Sequence, residues 1–243
     1  MPDTSPVALV TGGAIRVGRA ISLGLGEAGY DVLVHYRSSS GPAEEVRERL
    51  RGMGRRCVLA SADLGAPDEV AGLARTLENE FSRLDLLVNS AASFESTHIL
   101  DTDAEEWNAI LDVNTRAPHL LVRALEPMLR RSGGSVVNIA DHMGLRPWVR
   151  YGAHSVSKAA LIHLSRIQAR ALAPEVRVNA VAPGLVLPPD HLSEEALREE
   201  VEATLLKRAG TPQDVVEAVL YLARASFVTG QLLVVDGGGT TLE

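Results

Sequence analysis

A chain of 243 residues, 46% hydrophobic and 23% charged, is long enough to bury one substantial α/β core and has an ordinary globular composition. Its net charge of −7 argues against a general nucleic-acid-binding surface and leaves room only for a local basic pocket suited to a phosphorylated small molecule. The single cysteine, Cys57, excludes a disulfide within the chain, no apolar run reaches membrane-spanning length, and no basic-then-apolar leader opens the sequence, so a reducing, cytoplasmic location is expected.

In chain order, residues 7–11 read as a first apolar strand, followed by a helix over 17–28. A second strand at 31–35 leads to a charged helix over 42–51, and a third at 56–61 to a helix over 67–81. Strand four falls at 84–89, a long helical pattern runs through 104–130, and strand five follows at 135–140. The helix carrying His154 extends to about 173, before strand six at 176–182. Thr211-Pro212, with Asp214 in the first turn, opens a helix over 211–225, and strand seven closes the series at 231–236. Strands this apolar, alternating with helices, predict an α/β class: one doubly wound, seven-stranded parallel sheet with helices on both faces. Pro188-Pro189 and the acidic stretch 193–202 interrupt the alternation. They read as a substrate-covering segment near 185–207 inside a single 1–243 domain, with no linker or repeat.

The first strand runs into Thr11-Gly12-Gly13-Ala14-Ile15-Arg16-Val17-Gly18, the strand–turn–helix context that a glycine-rich dinucleotide turn requires. Free N–H groups at the start of the helix favour an anionic pyrophosphate. Asp63-Leu64 follows strand three, Asn89-Ser90-Ala91 follows strand four, and Pro183-Gly184 follows strand six. All lie at carboxyl ends of strands, where open α/β sheets bind ligands.

This order of motifs, with Asn114 in the long helix and Lys158 after strand five, resembles the short-chain dehydrogenase/reductase family over nearly the whole chain. Arg16 stands where that family commonly has glycine. Together with His35-Tyr36-Arg37-Ser38 it resembles the pteridine reductase branch, in which the arginine is associated with cofactor phosphates and substrate. The resemblance implies a Rossmann fold, a nicotinamide cofactor, hydride delivery from its C4, a small-molecule substrate and a homotetramer. NADPH is expected over NADH: Tyr36, Arg37, Ser38 and Ser39 at the end of strand two present donors where an acidic residue would repel a 2′-phosphate. The cofactor-binding set is then Gly12, Arg16, Val17, Gly18, Tyr36, Arg37, Ser38, Ser39, Asp63, Leu64, Asn89, Ala91, Lys158, Pro183 and Gly184.

The expected catalytic group is Asp141, His154, Lys158 and Asn114. Most members of the family have serine where Asp141 stands and a proton-donating tyrosine where His154 stands; the pteridine reductase branch resembles this chain in the aspartate. A carboxylate opposes the alkoxide formed when a carbonyl is reduced, but suits a protonated C=N. His154 and Lys158, at i and i+4, share a helix face. Three readings of His154 fit the sequence: it is the acid, paired with Asp141; it lines a pocket whose substrate arrives protonated; or turnover is lost and NADPH is only bound. Tyr151 substitutes as acid only if the helix begins early. Arg16, Phe94, Asp141, Trp148 and His154 are the expected substrate contacts, the two aromatics by stacking on a planar ring, although Trp148 serves loop or subunit packing equally well. His98, His119, His163 and His191 lack paired ligand spacing, and no metal site is expected. The expected activity is NADPH-dependent reduction of a C=N bond in a flat heterocycle: dihydropterin, dihydrofolate or a cyclic imine. A ketone reductase with an atypical histidine acid and a non-catalytic NADPH-binding module are the alternatives. Neither nucleic acid nor membrane is an expected partner.

Overall fold

The computed structural model describes residues 5–188 and 193–241. Pro189 and His191, within the expected covering segment, lie outside the described residues.

Seven strands form one parallel sheet: β1 (Val7–Thr11), β2 (Asp31–Tyr36), β3 (Cys57–Ser61), β4 (Leu86–Asn89), β5 (Ser135–Ile139), β6 (Arg177–Pro183) and β7 (Leu232–Val235), in the order β3-β2-β1-β4-β5-β6-β7. This is the α/β class predicted. β1 is buried at every position, which explains its unbroken apolar run: both its faces meet helices. Helices α1 (Arg16–Glu27), α2 (Ser40–Gly52) and α8 (Pro212–Arg224) cover one face, with Ile21, Leu25, Val46, Leu50, Val216 and Val219 in that core. Helices α3 (Pro67–Glu80), α5 (Ala117–Ser132) and α6 (Gly152–Leu172) cover the other, through Leu73, Leu77, Leu121, Leu125 and Leu172. Each such fully buried aliphatic contributes about 1.5–3 kcal/mol from burial. The approach of α1 to α8 depends on Gly24, whose added Cβ would lie 2.4 Å from Val216 Cγ1.

The order in which successive strands are added reverses between β1 and β4, and the crevice outside their carboxyl ends is the expected ligand position. The predicted uninterrupted helix over 104–130 is not one α-helix. It comprises α4 (Ala104–Leu111), a π-helical turn at Asp112–Arg116, and α5. The wider turn carries Asn114, wholly buried, and such turns recur at functional sites. In the stretch read as an insertion, α7 (Glu194–Glu202) is capped by Ser193, whose side chain accepts from the Ala196 N–H. No helix among the described residues is long and apolar enough to cross a membrane.

Candidate active site

A groove of about 380 Å³ opens at the β1/β4 switch point. Gly12, Tyr36, Arg37, Ser38, Ser39, Asp63, Leu64, Ala91 and Phe94 all line it, so most of the predicted cofactor set converges there. Gly12 adopts φ +62, and a Cβ there would lie 2.9 Å from Ala91 Cα; the turn therefore requires glycine. Gly18 serves the same turn from within α1, since its Cβ would overlap the Gly12 carbonyl oxygen at 2.1 Å. Thr11 Oγ1 accepts the Ser90 and Ala91 N–H groups at 2.9 and 3.0 Å, pinning the β1 and β4 turns together. The role of His35 has no signature in the sequence pattern. Its Nδ1 accepts the Gly12 N–H at 3.1 Å, so Nε2 carries the hydrogen donated to the Ala62 carbonyl at 3.0 Å. Burial lowers its pKa, outweighing that hydrogen bond and the charge of Asp63. α1 has no acidic residue in its first turn and no side-chain cap, and α2 likewise begins uncapped at Ser39. Two helix starts therefore border a groove able to take anionic groups.

Beyond β5, Asp141 opens a 3₁₀ turn (His142–Gly144), where its Oδ1 accepts the Met143 N–H at 2.8 Å. That turn packs directly on α6. A Cβ on Gly144 would lie 2.9 Å from both the Ala159 nitrogen and the Lys158 carbonyl carbon. Asp141 thereby comes to rest beside the first turns of α6: its Oδ2 lies 3.6 Å from His154 Nε2, and its Oδ1 lies 3.1 Å from His142 Nδ1. The first distance is too long for a hydrogen bond yet within ion-pair range. Lys158, fully enclosed, donates from Nζ to the Ile139 carbonyl at 2.8 Å.

Asn114 fixes the histidine. Its Oδ1 accepts the Ser93 N–H at 2.7 Å, and its two Nδ2 hydrogens go to the Ser93 carbonyl at 2.9 Å and Ser157 Oγ at 3.0 Å. His154 Nδ1 lies 3.3 Å from Asn114 Nδ2 and 3.2 Å from the same carbonyl; with both amide hydrogens assigned to the Ser93 carbonyl and Ser157, the ring hydrogen is assigned to Nδ1, donating to that carbonyl. In the neutral ring the lone pair then sits on Nε2, a buried atom with no hydrogen-bond partner among the described residues, facing a carboxylate.

Three neighbouring groups are shifted by this environment. Burial alone would raise the Asp141 carboxyl, but His142, His154 and the Met143 N–H outweigh it and hold the group well below the usual carboxylate range. Asp141 is thus ionised. Burial lowers His142, but Asp141 and the Pro183 carbonyl raise it further, to a net position above an ordinary imidazole. Lys158 is pushed down to about 8 by burial, against the opposing pull of Asp141.

A sequence model described as enoyl-(acyl carrier protein) reductase matches residues 13–240. A short-chain type dehydrogenase/reductase of Picea abies is 35% identical over 247 aligned positions, covering 96% of this chain and 91% of that protein. The chain belongs to the short-chain dehydrogenase/reductase family. An uncharacterized oxidoreductase of Mycobacterium tuberculosis is 38% identical over 243 positions, covering 96% and 92% of the two chains. A 3-oxoacyl-(acyl-carrier-protein) reductase of Synechocystis sp. is 34% identical over 242 positions, covering 97% of each. A blue fluorescent protein from a metagenomic library, whose crystal structure is a complex with NADPH, superposes with a TM-score of 0.90 at 29% identity, covering 96% of this chain and 97% of the other.

Within this short-chain dehydrogenase/reductase scaffold several predicted residues take other positions than the cofactor groove. The Asn89 side chain donates to Asn138 Oδ1 at 2.7 Å inside the sheet rather than lining the groove. Val17 packs against the α1 face of the core. Pro183 contributes its carbonyl, 3.2 Å from His142 Nδ1, and Gly184 allows close packing on Asp236, whose Cβ its own Cβ would approach to 2.7 Å. Arg16 adopts the left-handed conformation, φ 49, and donates from Nη2 to the Leu187 carbonyl, bridging the glycine turn to the segment after β6. Tyr151 is no helical neighbour of Lys158. It is the N-cap of α6, and its ring stacks on Phe94 with centroids 4.7 Å apart. Phe94 in turn meets His154 edge-on at 4.7 Å. Trp148 sits further out, edge-on to His142 at 5.9 Å, in the wall of a second cavity of about 700 Å³ shared with Ser96, Arg150, Glu199 and Glu200. Ser93 and the Glu199–Glu200 pair were not legible as site residues, because their roles arise from backbone atoms and from the placement of α7.

Proposed function

We propose that this oxidoreductase uses NADPH to reduce a C=N bond in a flat heterocycle, dihydropterins and dihydrofolate first and cyclic imines second. The residues present fit a dinucleotide: the Gly12 cradle closes if a Cβ is added, and two uncapped helix starts border the groove. Gly12, Ala91 and Asp63 would hold its pyrophosphate and adenosine portions, Lys158 its nicotinamide ribose, and Arg37, Ser38 and Ser39 a 2′-phosphate. The cofactor supplies the hydride.

The observation that carries the C=N reading is the ionised Asp141 facing His154 Nε2. A carboxylate there destabilises an oxygen gathering negative charge and stabilises a substrate nitrogen that is protonated before or as hydride arrives. In this reading His154 donates the proton from Nε2, Asp141 holds the imidazolium until it does, and Asn114 with Ser93 keeps the ring in one tautomer. Phe94 and Tyr151 offer an aromatic wall to a planar substrate, and Glu199 and Glu200 of α7 line the cavity beside it. The partly exposed Val156 and Ile167 on α6 suit the homotetramer implied by the family resemblance. Carbonyl reduction is the second reading, favoured by the 34% identity to a 3-oxoacyl reductase.

The deciding experiment follows NADPH consumption with dihydrobiopterin, a dihydroisoquinoline, a simple ketone and a 3-oxoacyl thioester, in wild type and His154→Tyr. Turnover confined to C=N substrates supports the proposal. Faster turnover of the ketone or thioester than of either C=N substrate, or no turnover of any of the four, overturns it.

A further inference from the structure

Resting on the reading of His154 as the proton donor, we infer that His142 is a positioning residue which, by sharing Asp141, sets how firmly His154 holds its proton. One carboxylate stands between two imidazoles: Oδ1 is 3.1 Å from His142 Nδ1 and Oδ2 is 3.6 Å from His154 Nε2. The two rings differ in access. His154 is 2% exposed, and His142 is 17% exposed beside Trp148 at the wall of the outer cavity. His142 Nδ1 lies between two acceptors, the Asp141 carboxylate and the Pro183 carbonyl at 3.2 Å, so it carries a hydrogen in either charge state. This contact and the Met143 N–H hold Oδ1 and leave Oδ2 turned to His154.

The charged and titratable groups around His142 come from several elements. Asp141 precedes it on its own turn, His154 and Lys158 face Asp141 from α6, Glu200 acts on His142 from α7, and Asp236 from the turn after β7. Asp141 is the one carboxylate among them in contact with both imidazoles. A proton on His142 therefore weakens the hold of Asp141 on a proton at His154, and the two rings titrate as a coupled pair. Glu200, which lines the outer cavity, and Asp236 offset part of the His142 charge.

The test is ¹⁵N NMR of histidine-labelled full-length protein, titrated from about pH 5 to about pH 9, in wild type, His142→Asn, His142→Gln and Asp141→Asn. Both His142 variants keep an amide donor for Asp141 but remove the titrating charge. They are expected to raise the His154 midpoint, and Asp141→Asn to lower both histidines. A parallel pH profile of kcat with dihydrobiopterin is expected to show its alkaline limb moving up with the His154 midpoint. A purely structural role for His142 leaves that midpoint unmoved or lowers it, and either result overturns the inference. The NMR arm requires no turnover, so an inactive wild type would defeat the proposed function while the His154 shift still decides the coupling.

Discussion

His154 turns Nε2 toward Asp141 Oδ2 at 3.6 Å, while its Nδ1 is tied to the Ser93 carbonyl. The carboxylate belongs to the loop after β5 and the ring to the first turn of α6, so the pair exists only because Gly144 lets the 3₁₀ turn lie against the α6 backbone. In the proposed reaction the pair sets a proton donor and a negative charge next to each other, a combination suited to a nitrogen acceptor.

His154→Ala is expected to lower kcat on a C=N substrate by about 10²- to 10⁴-fold, the range for losing a positioned acid. NADPH affinity should hold, since the contacts of His154 are with Asp141, the Ser93 carbonyl and Phe94 rather than with the glycine turn or Arg37. Single-turnover kinetics and nucleotide titration separate these effects. An unchanged rate and pH profile would remove His154 from the chemistry.

Arg37→Ala is expected to weaken NADPH binding by about ten- to a hundredfold, the magnitude of one or two charge-assisted hydrogen bonds, and to leave NADH unaffected. Equal losses for the two nucleotides, measured by calorimetry, would show that Arg37 does not meet the 2′-phosphate.

Lys158 makes a pH prediction for the protein without nucleotide. Its folded value of about 8 lies below the ordinary lysine value of 10.5, so between these two the unfolded chain holds more protons than the native state. Stability from this group therefore rises with pH through that window, by roughly 3 kcal/mol in total, and its burial penalty is fully present below pH 8. Urea unfolding of wild type and Lys158→Met across this range should show the wild type gaining on the variant as pH rises. A constant difference would contradict the burial of a titrating amine.

Gly144→Ala should cost about 1–3 kcal/mol, because its Cβ must displace backbone atoms of α6. It should also reduce kcat by moving Asp141 away from His154. Retained activity with a lowered Tm would show that the turn can shift without disturbing the pair.

The parallel sheet was readable because strands buried on both faces are almost wholly apolar, as in Val7–Thr11, and because turn residues mark their ends. The groove was readable because Gly12, Asp63 and Arg37 each follow a strand. What the sequence did not show depends on geometry across distant segments. The π turn at Asn114 arises within a pattern that reads as uninterrupted helix, and Asn89 turns inward to Asn138, a partner 49 residues away. Arg16 meets a backbone carbonyl at Leu187, which carries no side-chain signature. His142 directly follows Asp141 in the chain, but its contact with the carboxylate follows from a 3₁₀ turn that the spacing does not encode.

The central claim is that the ionised Asp141 selects a nitrogen acceptor over an oxygen one. Its most direct measurement is the ratio of kcat/KM for dihydrobiopterin to that for a simple ketone, in wild type and Asp141→Ser with NADPH saturating. The expected result is a wild-type ratio well above one that falls by about tenfold or more in Asp141→Ser, as loss of one charge-matched contact in a buried site implies. A wild-type ratio below one, or a ratio that the serine leaves unchanged, would contradict the claim.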